Sequence, residues 1–228
     1  MNEKNKKIIL KKIVFRILNI IKPNQIIGLG SGSTVAEFLE IFSKEVSRKD
    51  NISYVASSMQ ISIKAKELGL ELIPLETIQE LDIVIDGADE ADERLRLIKG
   101  GGGALLKERI LANLCKKYLV IVTENKMSET VGLKHRIPVE INPVAYSLVS
   151  KNLYENKIEF NLRTDNKNYP IFTENRNIIL DVEKGNKSID DMYNFLKNLS
   201  GVNEVGIFLS ETTELIVIEP DDFRVLKK

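Results

Sequence analysis

The sequence carries a single cysteine, Cys115, among 228 residues. One thiol cannot close an internal disulfide, which excludes a disulfide-stapled scaffold and suits a reducing compartment. There is also a single histidine, His135, in the charged segment "LKHRIP". It reads as part of an exposed junction, and one histidine so placed supports no Ser–His–Asp or Cys–His arrangement. No apolar run approaches the roughly 20 residues needed to span a bilayer. The N-terminus has no uninterrupted apolar core before a small-residue cleavage site, so cytoplasm is the expected location. Net charge is missing as well: Lys plus Arg and Asp plus Glu number 33 each. A balanced chain gives no electrostatic reason to bind nucleic acid or a membrane surface. Internal repeats and low-complexity tracts are not evident.

What is present is enough for one large domain or a domain with a small companion, since 43% of the residues are hydrophobic. Lys4, Lys6, Lys7, Lys11, Lys12 and Arg16 alternate with Ile8, Ile9, Leu10, Ile13, Val14 and Ile17 at roughly helical spacing. This reads as an amphipathic helix with a solvated basic face. The first half then alternates strand and helix signals. "QIIGLG" (25–30), "ISYVAS" (52–57), "LELIPL" (70–75), "LDIVID" (81–86) and "YLVIVT" (118–123) read as strands. Helices are expected over 33–46, 59–68 and 104–117, the last carrying Cys115 at core spacing as a buried small hydrophobe. Near-continuous apolar strands between helices predict a parallel sheet in an α/β fold.

After about Gly132 the texture changes. "IEFNLR" (158–163), "YPIFT" (169–173) and "NIILDV" (177–182) read as strands of a small antiparallel sheet, and "SIDDMYNFLKNL" as a capped amphipathic helix. "VGIFLS" and "TELIVIEP" are expected to return to the first sheet as a closing hairpin. The expected division is a first domain over 1–131 plus 207–228 and a smaller α+β domain over 132–206.

Four segments could carry chemistry. "GLGSGST" (Gly28 to Thr34) joins a strand to a helix; a free helix N-terminus with hydroxyls at Ser31, Ser33 and Thr34 suits an anion such as phosphate. The plainer alternative is that Ser33 merely caps the helix. It is neither a full dinucleotide fingerprint, since Ser33 stands where the third Gly belongs, nor a P-loop. "DGADE" (Asp86 to Glu90) follows an apolar strand, where ligands of parallel sheets bind. Asp86 and Asp89 could accept hydrogen bonds from a polyhydroxyl substrate; a hard cation is conceivable there but not required, and the plainer alternative is an acidic turn in water. "KGGGGALLKE" (Lys99 to Glu108) places four glycines before a helix, a row of N–H groups able to face an anionic oxygen. Glu108 falls among apolar helical neighbours, where desolvation makes a carboxylate a better base; it could equally sit at the stripe's edge, reaching solvent or pairing with a nearby lysine. Lys126, after its strand, suits a phosphate contact. Asp92 and Glu93 read as ordinary surface.

In this order the segments "GLGSGST", "DGADE", "KGGGGALLKE" and "VTENK", with Ser57 and Ser58, resemble the type A ribose-5-phosphate isomerase family over nearly the whole chain. The resemblance implies a Rossmann-like domain with a smaller ferredoxin-like α+β domain inserted near the C-terminus. It implies an aldose–ketose isomerase acting on ribose 5-phosphate and ribulose 5-phosphate in the pentose phosphate pathway. No metal or organic cofactor is implied, and a cytoplasmic homo-oligomer, a dimer first, is. By position it places the general base on Glu108, with Asp86, Asp89 and Lys99 as its catalytic companions. Substrate binding falls on Ser31, Gly32, Ser33, Thr34, Gly87, Ala88, Gly100, Gly101, Gly102 and Lys126. A lysine of the N-terminal helix assists the phosphate in some members, and Lys7 or Lys11 could take that part in this sequence. Rival readings are a CoA transferase with a glutamate nucleophile and a sugar-phosphate sensor; the sensor would need an output domain, and no helix-turn-helix signal precedes residue 25.

Overall fold

Residues 3–46 and 51–228 are described by a computed structural model. In chain order the elements are α1 (Glu3–Leu18), β1 (Ile26–Leu29), α2 (Ser33–Glu45), β2 (Ser53–Ala56), α3 (Met59–Glu67), β3 (Leu81–Gly87), β4 (Glu90–Ala91), β5 (Leu97–Ile98), α4 (Leu105–Leu114) and β6 (Cys115–Thr123). They continue as β7 (Ile137–Ile141), α5 (Tyr146–Glu155), β8 (Phe160–Leu162), β9 (Ile178–Val182), α6 (Ile189–Lys197), β10 (Val202–Val205), β11 (Ile207–Phe208), β12 (Glu214–Ile218) and β13 (Phe223–Lys227). Two compact units result: Met1–Gly87 with Lys107–Lys126 and Glu211–Lys228, and Ala88–Leu106 with Met127–Ser210.

The first unit is built on a six-stranded sheet, in the order β13-β12-β6-β3-β1-β2. Five neighbouring strands are parallel and β13 is an antiparallel edge. The apolar runs explain this: Tyr118 to Val122 of β6 are all buried, as are Ile83 to Gly87 of β3, which suits strands covered on both faces. In α1, Ile9, Leu10, Ile13, Val14 and Ile17 face the core, each contributing roughly 2 kcal/mol by burial. An aspartate at Ile13 would break that stripe. Four cations of the opposite face are ion-paired: Lys6 with Glu37, Lys11 with Glu45, Lys12 with Asp222 and Arg16 with Glu214. In α2, Phe38 and Phe42 stack at 5.3 Å, and Phe42 meets Tyr54 of β2 edge-on.

Three expectations for this unit change. "LELIPL" is not a strand: it makes a single bridge, Leu72 with Tyr54, before Pro74 leads into a 3-10 turn. Proline offers no N–H to extend the ladder. The helix expected to reach Lys117 ends at Leu114, because Cys115 and Lys117 pair with Leu81 and Ile83 of β3. Cys115 thus opens β6, half-buried, with its thiol pushed up to about 12 by burial. The closing hairpin is formed by β12 and β13, whereas "VGIFLS" supplies β11 to the other unit.

The second unit contains the run β7-α5-β8-β9-α6-β10, with antiparallel sheet order β10-β7-β9-β8. This βαββαβ order is the ferredoxin-like arrangement. Its core gathers Ile137, Val139, Ile141, Val149, Leu153, Leu180, Met192 and Leu196. Ser188 caps α6 by accepting from the Asp191 N–H, as its sequence indicates. "YPIFT" forms only bridges, Thr164 with Pro170 and Phe172 with Ile178, Pro170 again lacking a donor. A second, three-stranded sheet runs β11-β5-β4. Its pairing of β4 and β5 with β11 draws Ala88–Leu106 into this unit, where the sequence places them with the first domain. Among the described residues no helix is long and apolar enough to cross a membrane.

Candidate active site

The candidate residues divide between the two units. On the first, Gly30 follows β1 and begins the turn to α2. A Cβ on Gly30 would lie 1.9 Å from the Asp86 carboxyl, so only glycine lets the two strand ends approach. Gly32 has φ +98° and is itself the N-cap of α2, with no side-chain capping bond. Ser33 is the first helical residue, exposed, and does not cap the helix. The first-turn N–H groups therefore keep the anion-binding character that a side-chain cap would have satisfied. Thr34 is buried, and the Ser31 and Ser57 hydroxyls lie 2.6 Å apart. Ser58 caps α3 instead, accepting from Ile61 N–H.

Asp86 is fully buried at the end of β3. One carboxylate oxygen accepts the N–H groups of Ser31 (3.2 Å) and Gly87 (2.7 Å). The other accepts the Tyr118 hydroxyl of β6 at 2.7 Å. Burial first, and then the charges of Asp86 and Glu108, hold the Tyr118 phenol well above its usual range. It therefore stays a donor. Glu108 lies in the first turn of α4 and is 4% exposed. It does not reach solvent. Its neighbour Arg109 is ion-paired with Glu211. Lys126 is half-buried in the 3-10 turn after β6. Lys7 and Lys11 line a groove with Ile8 and Ile41. Lys6 instead lines a cavity of about 460 Å³ with Thr123, Glu124 and Asn125, which sets this α1 lysine beside the strand end that precedes Lys126.

On the second unit, Asp89 takes a bond at each end. Its N–H donates to Ile98 O at 2.8 Å, and its carboxylate accepts Gly101 N–H at 2.7 Å. Lys99 is 2% exposed, its ammonium 5.8 Å from the Phe208 ring centre. Of the glycine row, Gly101 N–H is held by Asp89 and Gly103 N–H by Gly100 O. Among the described residues, the Gly100 and Gly102 N–H groups, two of the four expected donors, take no such partner. Ala88 is buried. Asp92, expected at the surface, is fully buried and accepts from the N–H groups of Arg94 and Arg96 and from the Arg96 guanidinium; Glu93 is exposed. His135 is exposed, its N–H donating to Glu90. Among the described residues no group of three or more His, Cys, Asp or Glu could hold a metal ion.

The family model for ribose 5-phosphate isomerase A (phosphoriboisomerase A) matches residues 53–222. The chain belongs to this family. The ribose-5-phosphate isomerase A of Blochmanniella floridana is 40% identical over 213 residues, covering 92% of each chain. That of Methanococcus aeolicus is 36% identical over 214 residues, covering 92% of this chain and 91% of its own. Among solved structures, ribose 5-phosphate isomerase A of Methanocaldococcus jannaschii superposes with a TM-score of 0.89 at 32% identity over both full chains. A D-ribose-5-phosphate isomerase in complex with phospho-erythronic acid superposes with 0.91 at 31% identity, again over both full chains.

In this member of the ribose 5-phosphate isomerase A family, one residue beside Asp86 has no signal in the sequence. Tyr118 reads as an ordinary strand position, and nothing local distinguishes it. Its partner stands 32 residues away, and only the pairing of Asp86 with Val120 across β3 and β6 brings the two together.

Proposed function

We infer that the protein interconverts D-ribose 5-phosphate and D-ribulose 5-phosphate through an enediol or enediolate. The observation that carries this is full-length similarity to the isomerase bound to phospho-erythronic acid. That ligand has a phosphate at one end and a carboxylate at the other, the charge pattern of an enediolate sugar phosphate.

In the mechanism we propose, Glu108 takes the proton from C2 of the open-chain aldose and returns it to C1, while the O2 hydroxyl proton passes to O1, so that C2 becomes the carbonyl and O1 the hydroxyl. Its burial supports this, since a desolvated carboxylate holds a proton more readily than one in water. Negative charge develops on the substrate oxygens. Lys99 and the N–H groups of Gly100 and Gly102 stabilise it, a contribution of several kcal/mol where such donors are preorganised. Asp89, beside Ala88, accepts a sugar hydroxyl while it holds Gly101. Asp86 with Gly87 fixes the entrance to the phosphate turn through Ser31. The phosphate rests on Ser31, Gly32, Ser33 and Thr34, with Lys126 as a point charge. Binding energy gathered there holds the reacting carbons for proton transfer. No metal or organic cofactor takes part. Membership of the family supports a homodimer working in the non-oxidative branch of the pentose phosphate pathway, and the lone cysteine supports a reducing compartment, the cytoplasm.

The test is turnover of ribose 5-phosphate by the purified chain in the presence of a chelator, followed by the appearance of ketose. Turnover that disappears on chelation overturns the metal-free reading. Glu108→Gln should lower kcat by about 10³ or more while substrate still binds; near-normal kcat in that variant removes Glu108 from the role.

A further inference from the structure

Arg163 stands immediately after β8 and is held on every side. Its N–H donates to Ile179 O at 2.8 Å, and its C=O accepts from Ile171 N–H at 3.0 Å. Its guanidinium forms a fork on Asp181 of β9, Nε to Oδ2 at 2.9 Å and Nη2 to Oδ1. The remaining nitrogen, Nη1, donates to two successive carbonyls of the glycine loop, Gly100 O at 2.7 Å and Gly101 O at 3.1 Å. The Arg163 side chain is only 16% exposed.

These contacts decide how two peptide planes face. The plane between Gly100 and Gly101 is gripped at both edges, its carbonyl by Arg163 and its N–H by Asp89. In the next plane Arg163 holds the Gly101 carbonyl. A planar trans peptide then directs the Gly102 N–H to the opposite side. Without such a grip a run of glycines has many backbone states open to it. Lysine could not substitute, since one compact ammonium cannot form the fork and reach both carbonyls. We propose that Arg163 is a positioning residue for isomerisation: it aims the Gly102 N–H at the developing oxyanion, and Asp181 locks it in that pose. This rests on the reading that the Gly102 N–H meets the enediolate.

The test compares wild type with Arg163→Met, Arg163→Ala and Asp181→Asn, using ribose 5-phosphate as substrate. Arg163→Met should lower kcat about 30- to 100-fold with KM within about threefold, the pattern of a misplaced transition-state donor. Asp181→Asn, which keeps the guanidinium, should lose less than about fivefold. A cavity of about 350 Å³ lined by Asp89, Gly101, Arg136, Arg163 and Asp181 leaves room for a small cation. Guanidinium at tens of millimolar should therefore restore at least about tenfold of the lost kcat of Arg163→Ala, and methylammonium should not. A purely structural role would not produce that difference. Unchanged kcat in Arg163→Met, or no rescue by guanidinium over methylammonium, overturns the proposal. Wild-type protein without turnover in the same assay instead overturns the isomerase reading.

Discussion

Two carboxylates four residues apart, Asp86 and Glu90, are each fully buried, yet they serve different units in different ways. Asp86 ends a long parallel strand of the first unit and holds a turn that begins 55 residues earlier, through Ser31 N–H. It shares its second oxygen with one phenol. Glu90 opens a two-residue strand of the second unit and accepts four consecutive backbone N–H groups, those of Gly132, Leu133, Lys134 and His135, at 3.0 to 3.2 Å. The first carboxylate sits where parallel-sheet ligands bind; the second replaces the secondary structure that its loop lacks. An acidic cluster read as one feature is thus two, and burial alone does not separate a binding role from a structural one. What separates them is the donor set: a hydroxyl and the turn between β1 and α2 in one case, a run of loop amides in the other.

The comparison breaks most readily at Glu90. Glu90→Gln keeps the shape, removes the charge and turns an NH2 group toward backbone donors. Charge-assisted bonds to a buried carboxylate contribute about 1.5–3 kcal/mol each, and an opposed donor adds a desolvation cost. The expected loss is about 3 kcal/mol, or about 10 °C in Tm, measured by urea and thermal unfolding. A loss below about 0.5 kcal/mol would mean that the four amides find other acceptors and that Glu90 is not the support of its loop.

Tyr118→Phe tests the other side. It removes one donor from Asp86 and leaves the Ser31 and Gly87 N–H groups in place. The expected stability loss is about 2 kcal/mol, with activity falling about tenfold because the turn that carries Ser31 loses its fixed anchor. An unchanged KM and kcat in a variant with lowered stability would show that Asp86 is held well enough by backbone alone, making Tyr118 structural in the manner of Glu90.

The sequence discloses the parts of this arrangement that are local. The Gly30–Thr34 turn, the buried runs of β3 and β6 and the capped α6 are each legible from neighbours within a few residues. Local pattern misleads where pairing wins over propensity: Cys115 to Lys117 continue a helical spacing but join the ladder with Leu81 and Ile83. Pro74 and Pro170 each stand in an apolar run that forms only isolated bridges, one in the first case and two in the second, which their lack of an N–H could have signalled. Other features have no local trace. Arg163 reaches carbonyls 62 and 63 residues away, and Glu90 reaches amides 42 to 45 residues away. Asp92 and Glu93 look alike in sequence, and only the fold buries the first. The candidate residues themselves are legible chiefly because four ordinary motifs occur in one order, each of modest specificity alone.

The smallest effect separates the two ends of β6. Tyr118 and Cys115 are both on this strand, and burial is the leading reason that each holds its proton more tightly than usual. A group whose folded pKa is raised stabilises the protein fully below its unfolded value and loses that contribution as pH climbs toward the folded value. For Cys115 the window runs from 9.0 to about 12; for Tyr118 it opens only above 10.0. Between pH 9 and 10 the thiol is thus the main one of the two to titrate in the unfolded chain, while both stay protonated in the fold. Cys115→Ala should therefore flatten part of the decline in unfolding free energy across that interval, by less than about 1 kcal/mol given partial exposure, and Tyr118→Phe should flatten it by less than Cys115→Ala does. Urea midpoints at pH 8, 9 and 10 measure this. If Tyr118→Phe flattens the slope and Cys115→Ala does not, the thiol is in contact with water, and the buried stretch of β6 begins nearer Tyr118 than the strand's first residue.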